Sequence, residues 1–263
     1  MPQPVQYHGM ALLVPDNDSE WKEFYEHARG HRLVMRKCAA CGLTQTEEPT
    51  WLREAYSDAI HSTDTGILAR NLGARRIVAT FLHLAGVREE PCLDFAGGYG
   101  IFTRLMRDVG FHFHWTDPYA KNIVARGFEW RDGLGAPRAV TAFEVLEHFV
   151  RPLEEFRNIA SLGAEWIITS TEVHPGRRPA PDWHYLSVES GQHVAFYRND
   201  TLTRLGREVG YPHVLPGAFF QIFARKPFPA WHWQAAVRLG AVAFPFVRKS
   251  RPSLTVPDCE RLR

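Results

Sequence analysis

The stretch from Pro91 to Tyr119 limits the fold more than any other. Cys92-Leu93-Asp94-Phe95 reads as a short apolar strand, and Gly97, Gly98 and Gly100 crowd the turn after it. Ile101 to Val109 carries the spacing of an amphipathic helix. Phe111, Phe113 and Trp115 then alternate with His112 and His114, which puts the two histidines on the opposite face of a second strand. Strand, glycine turn, helix and strand in that order make half of a nucleotide-binding βαβ unit. Glycines leave no Cβ between the main chain and a ligand. Asp117 follows Gly97 by twenty residues, the offset at which a carboxylate accepts hydrogen bonds from ribose hydroxyls.

Two details separate the nucleotides such a unit could take. A dinucleotide fingerprint requires G-x-G-x-x-G, but Gly98-Tyr99-Gly100 runs on into Ile101-Phe102-Thr103. Asp94 stands just before the turn, where a carboxylate repels pyrophosphate and attracts a cationic amino group. The pattern D-x-A-G-G-x-G resembles motif I of the class I S-adenosylmethionine (SAM) methyltransferases, with Ala96 in place of the usual first glycine. The resemblance implies a Rossmann-like α/β fold, a mostly parallel seven-stranded sheet flanked by helices. It also implies that Asp94, Ala96, Gly97, Gly98, Tyr99, Gly100 and Phe102 hold SAM at the turn. Asp117 and Pro118 would meet its ribose and adenine, and Phe143 and Glu144 its far side, with S-adenosylhomocysteine as the product.

Ala139 to Phe143 reads as a further strand that runs into Glu144-Val145-Leu146-Glu147-His148. Alone, E-V-L-E-H is one more amphipathic turn; in register with the glycine turn it is a second match to the same family. Strands are also expected near Gly127 to Trp130, at Trp166 to Glu172 and at Phe219 to Ala224, with helices from Pro152 and over Asn199 to Gly210. From Trp183 the chain reads W-x-Y-x-x-x-E-x-G-Q-H-x-x-F-Y, and Thr63 to Asn71 reads T-D-T-G-x-x-x-R-N. Together these resemble a bacterial subgroup of class I methyltransferases associated with sugars and polysaccharides, over about residues 33 to 226.

That resemblance implies a small-molecule acceptor, most simply a hydroxyl of a sugar, nucleotide sugar or glycoside. A hydroxyl needs help to lose its proton, and histidine titrates in the right range. His193 is the candidate base and His148 the second choice, with Glu172 or Glu189 as orienting carboxylates and Asp182 as a further candidate. The structural alternative is that His193 pins its loop to a main-chain carbonyl. Rival functions are C- or N-methylation, a NAD-linked oxidoreductase, and a module of the same fold without turnover.

The rest of the chain is read from composition and local pattern. Net charge of +2 gives no case for nucleic acid, and four cysteines are too few for a disulfide framework, which suits a reducing cytoplasm. Met1-Pro2-Gln3-Pro4 has neither the charge nor the apolar run of a signal peptide. Residues 1–49 form an N-terminal segment with a helix expected over Trp21 to His27 and a C-x-x-C-G knuckle at Cys38 to Gly42. His27 and His31 could complete a zinc set with Cys38 and Cys41, or the knuckle is a turn without metal; no metal site is assigned. Helices are expected over Trp51 to Tyr56 and Ile67 to Leu84 within a domain spanning 50–226. Residues 227–263 form an appendage whose apolar run, Trp231 to Val247, is too short and interrupted to insert stably in a membrane and suits a packed helix or a homodimer contact.

Overall fold

The computed structural model describes residues 24–26, 32–56, 64–174, 183–187 and 190–263. Three short strands come first, β1 (Phe24–Glu26), β2 (Arg32–Lys37) and β3 (Thr44–Thr46), each antiparallel to the next. Helices α1 (Leu52–Ala55) and α2 (Ile67–Leu84) follow. The chain then alternates: β4 (Cys92–Phe95), α3 (Ile101–Val109), β5 (Phe113–Thr116), β6 (Ala139–Phe143), α4 (Pro152–Ser161) and β7 (Trp166–Ser170). It closes with β8 (Ala195–Phe196), α5 (Asn199–Glu208), β9 (His213–Leu215), β10 (Phe220–Ala224), α6 (Ala230–Lys249) and α7 (Thr255–Arg261).

The main sheet has the order β5-β4-β6-β7-β10-β9. β4 to β7 are parallel, and β10 and β9 are antiparallel additions. Strands covered on both faces read as continuous apolar runs rather than alternating ones, and β6 and β7 are of that kind, AVTAF and WIITS, buried almost throughout. Gly100 and Gly110 flank α3 in the left-handed conformation, and Pro152 opens α4 where a missing N–H costs nothing.

One apolar cluster lies on each side of the sheet. On one side α4 and α5 pack with Cys38, Cys41 and Leu43; on the other α2 and α3 pack with Trp233, Ala236, Phe244 and Val247 of α6. Packing therefore crosses residues 49 and 227, and β3 pairs with β8 as well. Burial pushes the Cys41 thiol up to about 12, so this cysteine packs as an uncharged apolar group. His27 and His31 lie outside the described residues. No helix among the described residues is long and apolar enough to cross a membrane.

Two expectations change. The helix over Trp21 to His27 is replaced at Phe24–Glu26 by a strand paired with Arg32–Val34. Under two turns of apolar spacing cannot offset helix nucleation, whereas a neighbouring strand supplies hydrogen bonds at once. The seventh strand, near Gly127 to Trp130, shrinks to one bridge between Trp115 and Glu129. Gly127, at φ 89°, turns the chain away immediately before it.

Candidate active site

The segments leaving the carboxyl ends of β4, β5, β6 and β7 meet on one edge of the sheet and border a cavity of about 1100 Å3. Ligands of open α/β sheets bind at that edge. The volume lies just above the range of an ordinary small-molecule site.

One half of the cavity is built from main chain. Ala96, Gly98 and Gly100 all have positive φ (53°, 53° and 84°), which folds the turn sharply over the end of β4. A Cβ on Gly97 would stand 2.6 Å from Asp94 Oδ2 and 2.7 Å from Trp115 Cδ1, so only glycine fits there. Gly100 lies behind the turn, closed against Asn122 and Ala125, and does not line the cavity. Asp94, 2% exposed, accepts from the hydroxyls of Thr103 and Thr141, each at 3.0 Å. Burial raises its pKa to about 7, with spare lone pairs toward the cavity that suit a cationic ligand group. Asp117 accepts from the N–H groups of Gly98 (2.9 Å), Tyr119 (2.8 Å) and Ala120 (2.7 Å), tying the turn to the end of β5. Tyr119 stacks on Tyr56 with ring centroids 5.6 Å apart, and Phe102 meets Phe143 edge-on at 4.9 Å.

The other half is built from side chains on two loops fastened together. Leu146–His148 forms a single 3-10 turn after β6. Glu147 O accepts from Val194 N (2.8 Å), Tyr197 Oη donates to Leu146 O (2.8 Å), and His148 Nδ1 pairs with Gln192 O (3.0 Å). Trp51 Nε1 donates to Gly191 O and Gln192 Nε2 to Ala55 O, so α1 clamps the same loop from outside. His193 Nδ1 pairs with Tyr185 O at 2.6 Å, and the His148 and His193 rings stand edge to face at 5.1 Å. Burial lowers His148 to about 4 and, with His148 beside it, His193 to about 3. Burial raises both Glu144 and Glu147, and their mutual repulsion adds to it at Glu144. Glu144 has φ 52° and accepts from Ser170 Oγ at 2.7 Å.

The cavity thus gathers Asp94, Ala96, Gly97, Gly98, Tyr99, Phe102, Asp117, Pro118, Phe143, Glu144, His148, Glu172 and His193. Glu189 and Asp182 lie outside the described residues. Glu172 does not orient His193: it accepts from Trp183 Nε1 (3.0 Å) and pairs with His184 Nε2 (3.0 Å), and the Tyr185 carbonyl holds His193 instead. Glu147 was missed as a site residue, although it stands in E-V-L-E-H next to His148. Its three-residue spacing from Glu144 was the available signal. Tyr185 and Gln192 were also missed, because their partners lie on other loops.

A family profile described as a methyltransferase domain matches residues 65–214. No curated protein matches the chain. Similar solved structures include the magnesium protoporphyrin IX methyltransferase of Synechocystis PCC 6803 with bound SAM, at 14% identity over 66% of this chain and 89% of that one (TM-score 0.41). Burkholderia thailandensis supplies two more. One is an O-methyltransferase family protein, 15% identical over 68% of each chain (TM-score 0.45). The other is 1,6-didemethyltoxoflavin-N1-methyltransferase, 17% identical over 74% of this chain and 96% of that one (TM-score 0.48). The family profile covers more than half of the chain, from α2 through the glycine turn and both loops of the cavity to β9, and it sets the NAD-linked alternative aside. This chain belongs to the class I methyltransferase family, whose members take the methyl group from SAM.

Proposed function

We propose that the enzyme methylates a hydroxyl of a small polyhydroxylated acceptor, of the sugar, nucleotide sugar or glycoside class. In this reading the turn from Ala96 to Tyr99 and the buried Asp94 hold the methionine end of SAM, and Asp117 turns toward the ribose beside Pro118. Bound there, SAM supplies a methyl group already activated by its sulfonium. The reading rests mainly on one observation: across the cavity from the turn, His148 and His193 stand among Glu144 and Glu172, a wall of hydrogen-bond acceptors suited to hydroxyls. Both Nδ1 atoms face carbonyls, of Gln192 at His148 and of Tyr185 at His193, and a second main-chain carbonyl, of Glu144, lies beside the His148 ring. His193 belongs to the wall that sets the hydroxyl in line with the methyl group. At a pKa of about 3 it stores no proton at neutral pH, so its part is alignment more than proton removal.

A panel of nucleotide sugars, glycan fragments, phenols and amines, read as S-adenosylhomocysteine formed, tests the proposal. Turnover confined to the first two classes is expected, and turnover on phenols or amines alone overturns the acceptor class. We further assign a second copy of the chain to the outer face of α6, where Leu239, Val242 and Phe246 stand 58%, 71% and 72% exposed at helical spacing. Light scattering reports it: a dimer that Val242→Glu converts to monomer is expected.

A further inference from the structure

Glu147, buried beside His148 and His193, is left unexplained by alignment of a hydroxyl. One donor atom from each lies within 4.8 Å of the other two. A carbonyl only accepts, so the bond to Tyr185 O places a hydrogen on His193 Nδ1 and the lone pair on Nε2; at His148 the carbonyls of Gln192 and Glu144 compete for the single ring hydrogen, and the nitrogen that does not carry it is the one left to ligate. Metal-binding histidines are oriented in this way, by a carbonyl or carboxylate on the nitrogen that does not ligate. Glu147 is the second observation. It is 0% exposed, and neither carboxylate oxygen has a hydrogen bond of normal geometry. The Tyr185 and Thr171 hydroxyls lie near enough to favour its ionised form, but their mutual bond at 3.1 Å uses one of the two hydrogens, which leaves at most one for a carboxylate with two oxygens. A nearby cation, Arg70, is engaged by both oxygens of Asp64 at 2.7 Å. A sealed carboxylate with so few donors is costly unless a proton or a cation joins it.

We propose that Glu147, His148 and His193 bind a divalent first-row transition ion of the zinc or iron(II) kind, whose open positions face the cavity and take the acceptor hydroxyl. Two imidazoles and a carboxylate suit such an ion, whereas magnesium and calcium favour all-oxygen sets. Donor atoms about 2.1 Å from one ion stand roughly 3.0–3.4 Å apart, so side-chain rotations of about 1 Å close the set. The loops need not move, since Val194, Trp51 and Gln192 already fasten them. A hydroxyl on the ion gives up its proton to water in the cleft far more readily than a free one. Its oxygen then bonds to the methyl carbon as the carbon–sulfur bond breaks, and the released electron pair neutralises the sulfonium. Only the identity of this fourth ligand rests on the function proposed above.

The test uses the untagged full chain, stripped with chelator and titrated with Co2+ while visible absorption and S-adenosylhomocysteine binding are followed. One equivalent with the bands of a low-coordinate ion is expected. Glu147→Gln, His148→Asn and His193→Asn should each weaken Co2+ by about a hundredfold or more, because even loss of an orienting partner costs tenfold to a hundredfold. His232→Asn should change nothing, and all four variants should still bind S-adenosylhomocysteine. If the site variants fail to fold, the wild-type chain decides: bound Co2+ must shield His148 and His193 from diethyl pyrocarbonate while His232 still reacts. No saturable uptake, uptake indifferent to the three variants, or no shielding overturns the metal site. Intact S-adenosylhomocysteine binding in those cases leaves the methyltransferase reading standing; its loss in the wild-type chain sinks that reading instead.

Discussion

The two halves of the cavity are made by different means. Around Asp94 to Gly100, shape comes from main-chain conformation within seven consecutive residues, and the single buried carboxylate is satisfied by two hydroxyls. Around Glu144 to His148 and Gly191 to His193, shape comes from side chains of two loops more than forty residues apart in sequence, and the two hydroxyls near the buried carboxylate of Glu147, of Tyr185 and Thr171, are bonded to each other. The first half is the cradle proposed for SAM. The second is a wall of side chains carried on other segments of the chain. Binding of S-adenosylhomocysteine should respond to changes in the first half and ignore those at Glu147, His148 and His193 in the second.

Gly97→Ala should give the largest effect. The new Cβ meets Asp94 Oδ2 and Trp115 at distances real contacts do not reach, and both neighbours are packed. S-adenosylhomocysteine affinity should fall about a hundredfold, or ~3 kcal/mol, the upper range for overpacking a rigid site. Wild-type affinity measured by calorimetry would show that the ligand does not use this turn. Asp117→Ala comes next. It removes the acceptor of three N–H groups and the expected ribose contact, and affinity should drop by about 2 kcal/mol. Glu147→Gln is its counterpart across the cavity and should leave affinity within about twofold while turnover collapses; a loss equal to that of Asp117→Ala would erase the contrast between the halves.

The contrast also explains what could be read from sequence. β6 and α2 fall on the expected residues, as do β4 and its turn, because each is specified by neighbours within a few positions. Asp258 shows the opposite case. It sits on α7, which no motif announced, and its carboxylate takes the buried Arg107 guanidinium at 2.7 and 2.5 Å from 151 residues away. Glu147 is similar: its identity was visible, but its isolation appears only when Val194 closes over it. His193 was legible as a residue aimed at the cavity, not as one whose ring burial would leave so weakly basic.

A smaller effect follows from Asp94. Its folded pKa of about 7 lies above the usual carboxylate value, so the folded chain keeps a proton that the unfolded chain has lost. Without ligand, stability should fall as pH rises from about 4 through 7. A cationic amino group favours the ionised form and should displace that proton. S-adenosylhomocysteine binding should then tighten by about tenfold between pH 6 and 7.5 and level off above, with proton release seen in buffers of different ionisation enthalpy. Asp94→Asn should flatten the curve; a curve unchanged in that variant would assign the proton to another group.

The smallest effect tests the one feature the halves share. Each holds one non-glycine residue in the left-handed region where β4 or β6 ends: Ala96 at φ 53° and Glu144 at φ 52°. That conformation costs an L-residue about 1–2 kcal/mol, while glycine forfeits roughly 0.5–1 kcal/mol through greater freedom in the unfolded chain. Ala96→Gly should therefore gain only about 0.5–1 kcal/mol, a rise of about 2 °C in melting temperature for a chain of this size. Glu144→Gly relieves the same strain but deletes the carboxylate that Ser170 holds at 2.7 Å, and that bond offsets the gain. A higher melting temperature for Ala96→Gly with unchanged S-adenosylhomocysteine affinity would mark the cradle's strain as incidental. A higher melting temperature with weaker binding would mean that Ala96 holds the turn in the shape the ligand needs, and that backbone strain serves the cofactor half as buried charge serves the acceptor half.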